Sequence, residues 1–530
     1  MLGDVNNFMQ QGVQSIGFRS DYIGAYAQDT WKVSSRLTLN GGLRWDPYMP
    51  FTWGDGQSFY FTHSAFTQGL HSSVYPNAPT GVLYSGDPGV PSNGKTNPNQ
   101  MGHFSPRLGL AIDPTGKGKM TIRAAYGLFR DYPDFYESQQ VKISPPYNFT
   151  IVNTAPGGGT AAGFANPWVN YPGGSPFPVT LTRNVQFPTT AGWVVIPPNL
   201  PAVYVNQWNL SIQRQIGTNW LVSANYIGSE TTHLLSSVEG DPAIYLPGSS
   251  CAINGTTYSP CASVNNTTQR RQLYLENPGQ GKYYGSIVTE NATGTMSYNG
   301  LFLTAQRNVG TGLIVQANYT FSHCINTGTQ QLISIPIIAG ISSIPARSGL
   351  RGNCSILEQD RRHNFNLSAV YLTPKLANRS LRLLASGWQI SGIVRVLSGD
   401  FFSANAGIDQ ALSGTNDQRP QQALPSLYAP NKSIRQWLNP VAFAQPALGT
   451  YGDMGPGTIE GSGFFGIDIS VTRKFQIRER HTLEVRGEAF NVLNHVNPLD
   501  PVTTLTSSTF GQIQAANDPR ILQLALKYVF

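Results

Sequence analysis

Apolar and polar residues alternate with a period of two along many segments of this chain, as a pleated β-strand requires. In the final segment, Leu522, Leu524 and Leu526 fall on one face. Gln523 and Lys527 fall on the other. The same pattern predicts thirteen strands, at residues 22–33, 36–46, 104–113, 119–130, 204–214, 219–228, 298–308, 312–322, 363–373, 381–396, 464–476, 481–493 and 521–530. The chain is therefore predicted to be all-β.

The predicted strands form pairs that are joined alternately by short and long connections. Within a pair the turn takes about two to seven residues, and between pairs the connection takes about 27 to 73. This alternation puts every short turn at one end of the sheet and every long loop at the other. A soluble β-sandwich also alternates, but loops this long are unusual inside a compact soluble domain. The pattern favours an antiparallel transmembrane β-barrel with short periplasmic turns and long extracellular loops.

Composition agrees with that interpretation. Charged residues make up 12% of the chain and aromatic residues 11%, and the mean hydropathy is −0.20. Such a chain is too polar for a helical membrane protein, whereas in a barrel only alternate residues face lipid. The most apolar stretch, residues 332–346, is broken by Pro336 and Pro345, so no transmembrane helix is predicted. The net charge of +7 comes from scattered lysines and arginines, so no nucleic-acid partner is expected.

Two sets of side chains follow from the predicted pleat. The apolar rows carry aromatic residues near strand ends, where rings suit the level of the lipid headgroups. These are Trp31, Trp45, Trp208, Trp220, Trp388, Tyr528 and Phe530. The opposite rows carry charges that predict a hydrated, lumen-facing surface. These are Asp468, Lys474, Glu484, Arg486, Glu488 and Lys527.

The four cysteines lie in two of the long loops, with Cys251 and Cys261 in one and Cys324 and Cys354 in the next. Four cysteines allow three pairings. We expect the two pairings within a loop, each of which could contribute about 3 kcal/mol by restricting the unfolded chain. Disulfides also fit an oxidising compartment outside the cytosol. A zinc site is not expected, because none of the cysteines has the close spacing that zinc sites favour.

The sequence nominates no catalytic group. The eight histidines are dispersed, and no HExxH helix is present. Asp360, Arg361, Arg362 and His363 stand together at a strand start, where a solvated loop end is the simplest interpretation and an anionic ligand at the barrel mouth is the alternative. We expect no enzymatic activity, no cofactor, no metal and no identifiable substrate-binding residues.

Several segments resemble the barrel of TonB-dependent receptors, in particular the Oar-like group. They are YAQDTWK at residues 26–32, RLTLNGGLRWD at 36–46, FSPRLGL at 104–110, EVRGEAFNVLN at 484–494 and the terminal Tyr528-Val-Phe530. Similar segments at residues 122–129, 225–234, 360–363, 387–392 and 397–399 extend the resemblance to most strands from residue 21 to residue 530. The resemblance implies an outer-membrane, ligand-gated importer, whose barrel of about 22 strands is filled by an N-terminal plug. It further implies that Tyr528 and Phe530 are the signal read by the barrel-assembly machinery.

The sequence departs from that family plan at its N-terminal side. Residues 1–20 read as a loop or strand lead-in, and residues 21–530 as part of one barrel domain. We find no plug, no TonB-coupling box and no signal peptide. Counting back from the C-terminus, the thirteen strands would be the last of about 22. The expected function is nutrient uptake at the bacterial outer membrane, with lipid and, through the absent parts, the TonB complex as partners. A passive porin or structural surface barrel, and a soluble loop-rich adhesin, are the alternatives.

Overall fold

The chain is described by a computed structural model. The structure describes residues 7–12, 17–53, 56–92, 94–95, 97–132, 144–154, 166–169, 174–175, 177–309, 312–327, 351–354, 360–378, 382, 384–415 and 418–530. Residues 332–346, the most apolar stretch of the sequence, lie outside these ranges.

One large sheet contains thirteen long strands in chain order, and each strand is antiparallel to the next. The strands are β1 (Ala25–Lys32), β2 (Leu37–Trp45), β3 (Phe104–Ile112), β4 (Met120–Asp131), β5 (Val203–Ile216), β6 (Trp220–Glu239), β7 (Tyr284–Val309), β8 (Leu313–Asn326), β9 (His363–Leu372), β10 (Trp388–Leu397), β11 (Phe464–Arg478), β12 (His481–Phe490) and β13 (Ile521–Val529). Two short strands join beside them, Ala191–Val195 parallel to β7 and Gly352–Asn353 antiparallel to β8. The predicted all-β, antiparallel fold is confirmed.

The predicted strand boundaries differ from the structure by more than four residues in two places. The pattern ended one strand at residue 228 and began the next at 298, whereas β6 runs to Glu239 and β7 begins at Tyr284. The upper part of this hairpin has register shifts on either side of Leu234, and His233 has a left-handed φ of 62°. A shifted register interrupts the alternation of faces, so the period-two pattern no longer marks the strand there.

The start of β10 is the second difference, at Trp388 rather than at residue 381. The chain before it is held by local hydrogen bonds instead of pairing with β9. Leu376 N donates to Ser386 Oγ at 2.9 Å, and Trp388 Nε1 donates to Leu384 O at 2.8 Å. The connection between β9 and β10 is therefore longer than the sequence suggested.

The pairing register aligns the apolar faces of all thirteen strands. One row crosses β1 to β8 and another crosses β13 to β7. The first contains Trp31, Leu39, Leu110, Ala124, Leu210, Tyr226, Leu301 and Phe321, and the second Leu524, Gly487, Val471, Ile390, Tyr371, Leu313 and Val309. Many of these side chains are exposed in the isolated chain, and Leu524 reaches 89% exposure. We call this continuous surface the apolar face.

The height of the apolar face fits a bilayer. Trp220 begins β6, and further along the same strand Gly228 lies opposite Trp208 of β5. At about 3.3 Å per residue, the two tryptophans are separated by about 26 Å along the strand. Outer-membrane barrels carry an outward apolar band about 25 Å tall between two aromatic girdles.

The sheet has two terminal edges. Within the described part of the chain, β1 pairs on one side only, with β2, and β13 pairs on one side only, with β12. Each strand therefore presents a row of unpaired backbone N–H and C=O groups along its outer side. Such groups cost several kcal/mol each when they face hydrocarbon.

In the part of the chain that the structure describes, the long connections and the segment before β1 contain short elements. The small strand pairs are Asn7–Gln11 with Thr150–Thr154, Phe18–Arg19 with Thr52–Trp53, Phe59–Phe61 with Val82–Tyr84, Cys251–Ile253 with Thr256–Tyr258, Phe401–Phe402 with Ile459–Glu460, Gln421–Gln422 with Phe443–Ala444, and Tyr428–Ser433 with Gln436–Leu438. The helices are His63–Thr67, Gln272–Glu276 and Pro278–Gly281, with single 3-10 turns at Val264–Asn266, Thr268–Arg270 and Pro440–Ala442. None of these helices, within the described residues, has the length and hydropathy needed to cross a bilayer.

These connections nevertheless pack into two large buried cores at the long-loop end of the sheet, in addition to a small one formed by Phe149, Ile151 and Trp168. The first core joins three connections to the upper ends of β6 and β7, and includes Trp53, Tyr84, Trp193, Leu273 and Tyr284. The second joins the connections after β10 and β12, and includes Leu438, Phe443, Met454, Ile459 and Phe510. Ala243 N donates to Ser413 O at 3.1 Å and so links the two regions. We call the two cores together the loop assembly.

A charge placed on the apolar face should destabilise the protein. Leu303 pairs with Ala224, which lies midway between Trp220 and Gly228 and hence near the middle of the apolar band. We expect Leu303→Arg to lower the free energy of unfolding by about 2–4 kcal/mol, because the guanidinium would face hydrocarbon. The measurement is a urea titration of the folded protein in outer membranes.

The matched control is Gln306→Arg on the same strand, since Gln306 lies on the opposite face, across from Leu221 and Gln316. This variant should change the free energy of unfolding by less than about 1 kcal/mol. An equal cost for the two substitutions would contradict the assignment of the faces.

Candidate functional site

The polar face of the sheet is the first candidate surface. The register brings Lys474, Glu484 and Lys527 into one row across β11, β12 and β13. Lys474 Nζ lies 3.7 Å from Glu484 Oε2, and Lys474 is largely exposed. An exposed ion pair of this kind contributes little to the free energy of unfolding. These charges therefore make the surface polar more than they stabilise the fold.

The remaining predicted polar residues lie on the same face. Arg486 pairs across the strands with Thr472 and Ala525, and Glu488 pairs with Ser470 and Gln523. Asp468 is on this face as well, and its Oδ1 accepts a hydrogen bond of 2.8 Å from Asn491 N just after β12. The structure therefore gathers all six residues on one side of the sheet, opposite the apolar face.

The centre of the polar face is covered by amides and hydroxyls. One row crosses β5 to β9 through Gln213, Ser223, Thr304, Asn318 and Asn366. Thr304 Oγ1 donates to Asn318 Oδ1 at 3.1 Å. Side chains of this kind both donate and accept hydrogen bonds, so the surface suits water or a polar partner. Further cations on the same face are Lys32, Arg44, Arg107, Arg123 and Arg395.

The charged residues at the start of β9 are paired within the protein. Arg362 Nε lies 3.3 Å from Asp360 Oδ2, and Arg361 Nη2 lies 3.2 Å from Asp400 Oδ1. Asp360 is buried and also accepts a 3.1 Å hydrogen bond from Cys324 N. A solvated loop end, the simplest interpretation of the sequence here, is wrong for these groups, because Asp360 and Asp400 are buried and the ion pairs join the β8–β9 connection to the connection after β10.

One disulfide lies within the β6–β7 connection, and the other joins the end of β8 to the connection that follows it. Cys251 is bonded to Cys261, and Cys324 is bonded to Cys354. The second bond stands beside the Asp360 cluster, since Cys354 N also donates to Cys324 O at 3.1 Å. Each bond therefore anchors a loop near the top of its own hairpin.

A buried acid–base cluster lies where the loop assembly meets β6. Glu239, Asp241 and Arg271 are all buried, and Arg271 Nη1 lies 3.6 Å from Glu239 Oε2. Glu239 accepts backbone hydrogen bonds from Asp241 N at 2.9 Å and Ile287 N at 2.8 Å. The cluster thus joins the end of β6 to the start of β7.

Asp241 is the least satisfied member of this cluster. Its side chain is completely buried, and its Oδ1 accepts a 2.9 Å hydrogen bond from Leu273 N, whereas Oδ2 has no partner among the described residues. Burial raises the pKa of the Asp241 carboxyl to about 7, against the opposing effects of the Leu273 hydrogen bond and the Arg271 charge. The carboxyl therefore titrates near neutral pH.

Sequence reasoning missed this cluster. Glu239, Asp241 and Arg271 stand in segments that the pattern assigned to a long polar connection, where charged residues are ordinarily solvated. The acidic pair directly precedes Pro242, which is a common turn signal and carries no sign of burial. The burial depends on Leu273, Tyr284 and Ile287, which are distant in sequence.

The C-terminal strand presents its aromatic residues to the outside. Tyr528 lies on the apolar face opposite Leu483, and its hydroxyl is 2.6 Å from His481 Nδ1. Phe530 follows the end of β13 and is 86% exposed. The two rings lie 6.0 Å apart. Their role as an assembly signal stays a prediction.

Within the described residues, no group of three or more histidine, cysteine, aspartate or glutamate side chains is placed to hold a metal ion. The candidate surfaces are the polar face and the loop assembly.

The Asp241 cluster predicts that the stability of the loop assembly depends on pH. Because the folded state favours the neutral carboxyl, it binds a proton between about pH 4 and pH 7 that the unfolded state has released. The free energy of unfolding should therefore fall as pH rises through this window, by up to about 4 kcal/mol. We expect Asp241→Asn to remove that slope, measured by proteolysis of the loops in urea at several pH values.

The control for this experiment is Asp518→Asn, which removes an exposed carboxyl outside the cluster. It should retain the slope of the parent protein. If Asp241→Asn and Asp518→Asn gave the same pH dependence, Asp241 would not be the titrating group.

Comparison with known proteins agrees with this architecture. The model of a family described as "Outer membrane beta barrel domain" matches residues 1–523. No curated protein sequence matches the chain.

Solved structures offer distant likenesses. The FrpB iron transporter from Neisseria meningitidis is 12% identical, with a TM-score of 0.42, and the match covers 96% of this chain and 45% of that one. The ferripyoverdine receptor of Pseudomonas aeruginosa is 11% identical (TM-score 0.43, 98% and 40% covered), and the copper transporter OprC is 10% identical (TM-score 0.40, 96% and 48% covered). The chain thus spans less than half the length of each, and likenesses this distant carry no functional argument. The family match covers nearly the whole chain, which therefore belongs to the outer membrane beta barrel domain family and resides in the bacterial outer membrane.

Proposed function

We propose that this chain is the barrel portion of an Oar-like, TonB-dependent receptor that imports a scarce, bulky nutrient across the outer membrane. The nutrient would be a chelated metal, an oligosaccharide or a peptide. The observation that carries the proposal is the loop assembly, in which long connections from most of the sheet pack into two buried cores at one end. A surface formed by so many packed connections is suited to recognition of a ligand from outside the cell.

Rigid packing distinguishes this surface from a set of solvated loops. Trp53, Tyr84, Trp193 and Tyr284 are nearly or fully buried in the first core, although they come from two different connections and the start of β7. Tyr84 and Tyr284 also donate hydrogen bonds to carbonyl oxygens of Pro145 and Thr80. A surface that is held in one conformation loses less conformational entropy when it binds a ligand.

The polar face of the membrane-spanning strands supports the same proposed function. Its amides, hydroxyls and mixed charges resemble the wall of a hydrated barrel interior. In the complete receptor we expect this face to contact a plug domain, with Lys474, Glu484 and Lys527 among the residues at that contact. Transport would depend on movement of the plug, driven through TonB, and would involve no covalent chemistry.

The two open edges support the proposal that further strands belong to the same barrel. β1 and β13 would otherwise expose unpaired backbone groups to hydrocarbon, which lipid cannot satisfy. Strands that precede β1 in a longer receptor would pair with both edges and close the barrel. Plug and coupling box would then precede those strands.

A passive porin or structural surface barrel is the principal alternative. It shares the apolar face, the polar face and the location in the outer membrane. It does not need energy from the inner membrane, and this difference provides the test.

We expect uptake that depends on energy. Cells with and without the gene are grown in the same complex medium, and the loss of each solute from the medium is followed by mass spectrometry. A receptor should deplete a small set of large solutes only when the gene is present, and a protonophore should abolish the effect. Depletion that continues in the presence of the protonophore would indicate a porin, and no difference between the strains would exclude transport.

We also expect that residues 1–530 do not close a barrel alone. After refolding into detergent micelles, the unheated chain should run on a gel as a smear or aggregate and should be digested by protease, because both sheet edges are unpaired. The comparison is the same chain preceded by the upstream coding sequence of its genomic locus, which should give a faster-migrating, protease-resistant band. If the chain alone gave that band, the proposal that strands are missing would be overturned.

A further inference from the structure

Two arginines on the apolar face each lie directly opposite a tryptophan of the neighbouring strand. Arg307 of β7 pairs in register with Trp220 of β6, and its guanidinium carbon lies 5.3 Å from the centre of the indole. Arg473 of β11 pairs in register with Trp388 of β10, at 5.4 Å from the indole, and also lies 4.6 Å from the ring of Phe475 on its own strand. The repetition of this pair on separate hairpins points to a common role.

The surroundings of these arginines are apolar. Arg307 is flanked in register by Val315 on the other neighbouring strand, and Arg473 by Val485. Within the described residues, neither guanidinium has a carboxylate within salt-bridge distance. Arg473 Nη1 donates one hydrogen bond of 3.3 Å to Leu384 O. Most of the donor groups of both arginines are therefore available to a ligand.

The position of the pairs identifies the part of the membrane that they meet. Trp220 and Trp388 are the first residues of their strands, directly after the short-turn end of the sheet, and Arg307 is close to the end of β7. An outward-facing arginine is costly at the bilayer centre and costs about 0–1 kcal/mol near the interface. The short turns of an outer-membrane barrel face the periplasm, where the leaflet consists of phospholipid. The guanidinium groups thus reach the level of phosphate groups.

We propose that each Arg–Trp pair binds the phosphodiester of a glycerophospholipid in the periplasmic leaflet. The planar guanidinium can donate two parallel hydrogen bonds to phosphate oxygens, which is the geometry that arginine offers and lysine does not. The indole holds the guanidinium plane through a cation–π contact and packs against the glycerol region of the lipid. Since no carboxylate lies near to attract an ammonium group, an anionic headgroup is favoured over a zwitterionic one.

The charge of the two Arg–Trp sites and their position in the membrane together identify the lipid that occupies them. A lipid A phosphate would offer the same chemistry, but that lipid occupies the leaflet at the long-loop end. The two sites therefore give the barrel two fixed lipid ligands on its periplasmic rim. This inference is independent of nutrient uptake, because it concerns the outer surface of the barrel.

The test uses the protein extracted from its outer membrane in mild detergent and exchanged with vesicles of phosphatidylglycerol and phosphatidylethanolamine in equal amounts. Native mass spectrometry counts the lipids that remain bound. The parent protein should retain two phosphatidylglycerol molecules, and the double variant Arg307→Gln with Arg473→Gln should lose both. Should the double variant fail to assemble, each single variant should lose one.

A control variant separates a specific site from general lipid adhesion. Arg107 and Arg395 also lie over aromatic rings, Phe129 at 4.8 Å and Phe464 at 5.0 Å, but on the polar face. The double variant Arg107→Gln with Arg395→Gln should retain both lipids. Four results would each overturn the proposal. The two double variants could lose lipid equally, or the variant without Arg307 and Arg473 could retain both lipids. The parent protein could also retain the two headgroups equally, or bind lipid A in place of phospholipid.

Discussion

The need to pair every backbone N–H and C=O group inside lipid governs this structure. Thirteen antiparallel strands satisfy one another in chain order, and the register that joins them places leucine, valine and aromatic side chains on one face. A slip of one residue in any strand would turn its leucines inward and its charges toward lipid. The same pairing therefore determines the membrane surface, the polar interior face and the positions at which the long connections emerge.

Much of this sheet follows from sequence, because lipid and water lie on opposite sides of each strand and produce a strict period of two. All thirteen segments are strands, and Trp31, Trp220 and Tyr528 lie on the expected face. The predicted strand ends are wrong after residue 228 in β6 and before residue 298 in β7, where these two strands leave the membrane. There the strands pack against the loop assembly, so their two faces no longer contact lipid on one side and water on the other. Register shifts at Leu234 disturb the alternation further.

The loop assembly could not be derived from local patterns. Its cores join residues such as Trp53, Trp193 and Tyr284, whose contacts span most of the first half of the chain. The connections are rich in glycine, proline and polar residues, which predict turns one at a time and say nothing of how the turns pack. For the same reason the sequence did not predict the burial of Asp241. It did predict the polar face, because that face depends only on the period-two alternation along each strand.

The disulfides have a consequence for the order of biogenesis. Cys251 and Cys261 lie within one connection, and Cys324 at the end of β8 is bonded to Cys354 in the connection that follows, so the described bonds leave the hairpins free of covalent links to one another. Oxidation in the periplasm can then be completed while the strands are still separate, since no bridge fixes one hairpin against the next. A bond between the two loops would instead tie β6–β7 to β8–β9 before the sheet had formed. The chain can thus arrive at the membrane with its outer loops already covalently closed and its strands still free to pair in sequence.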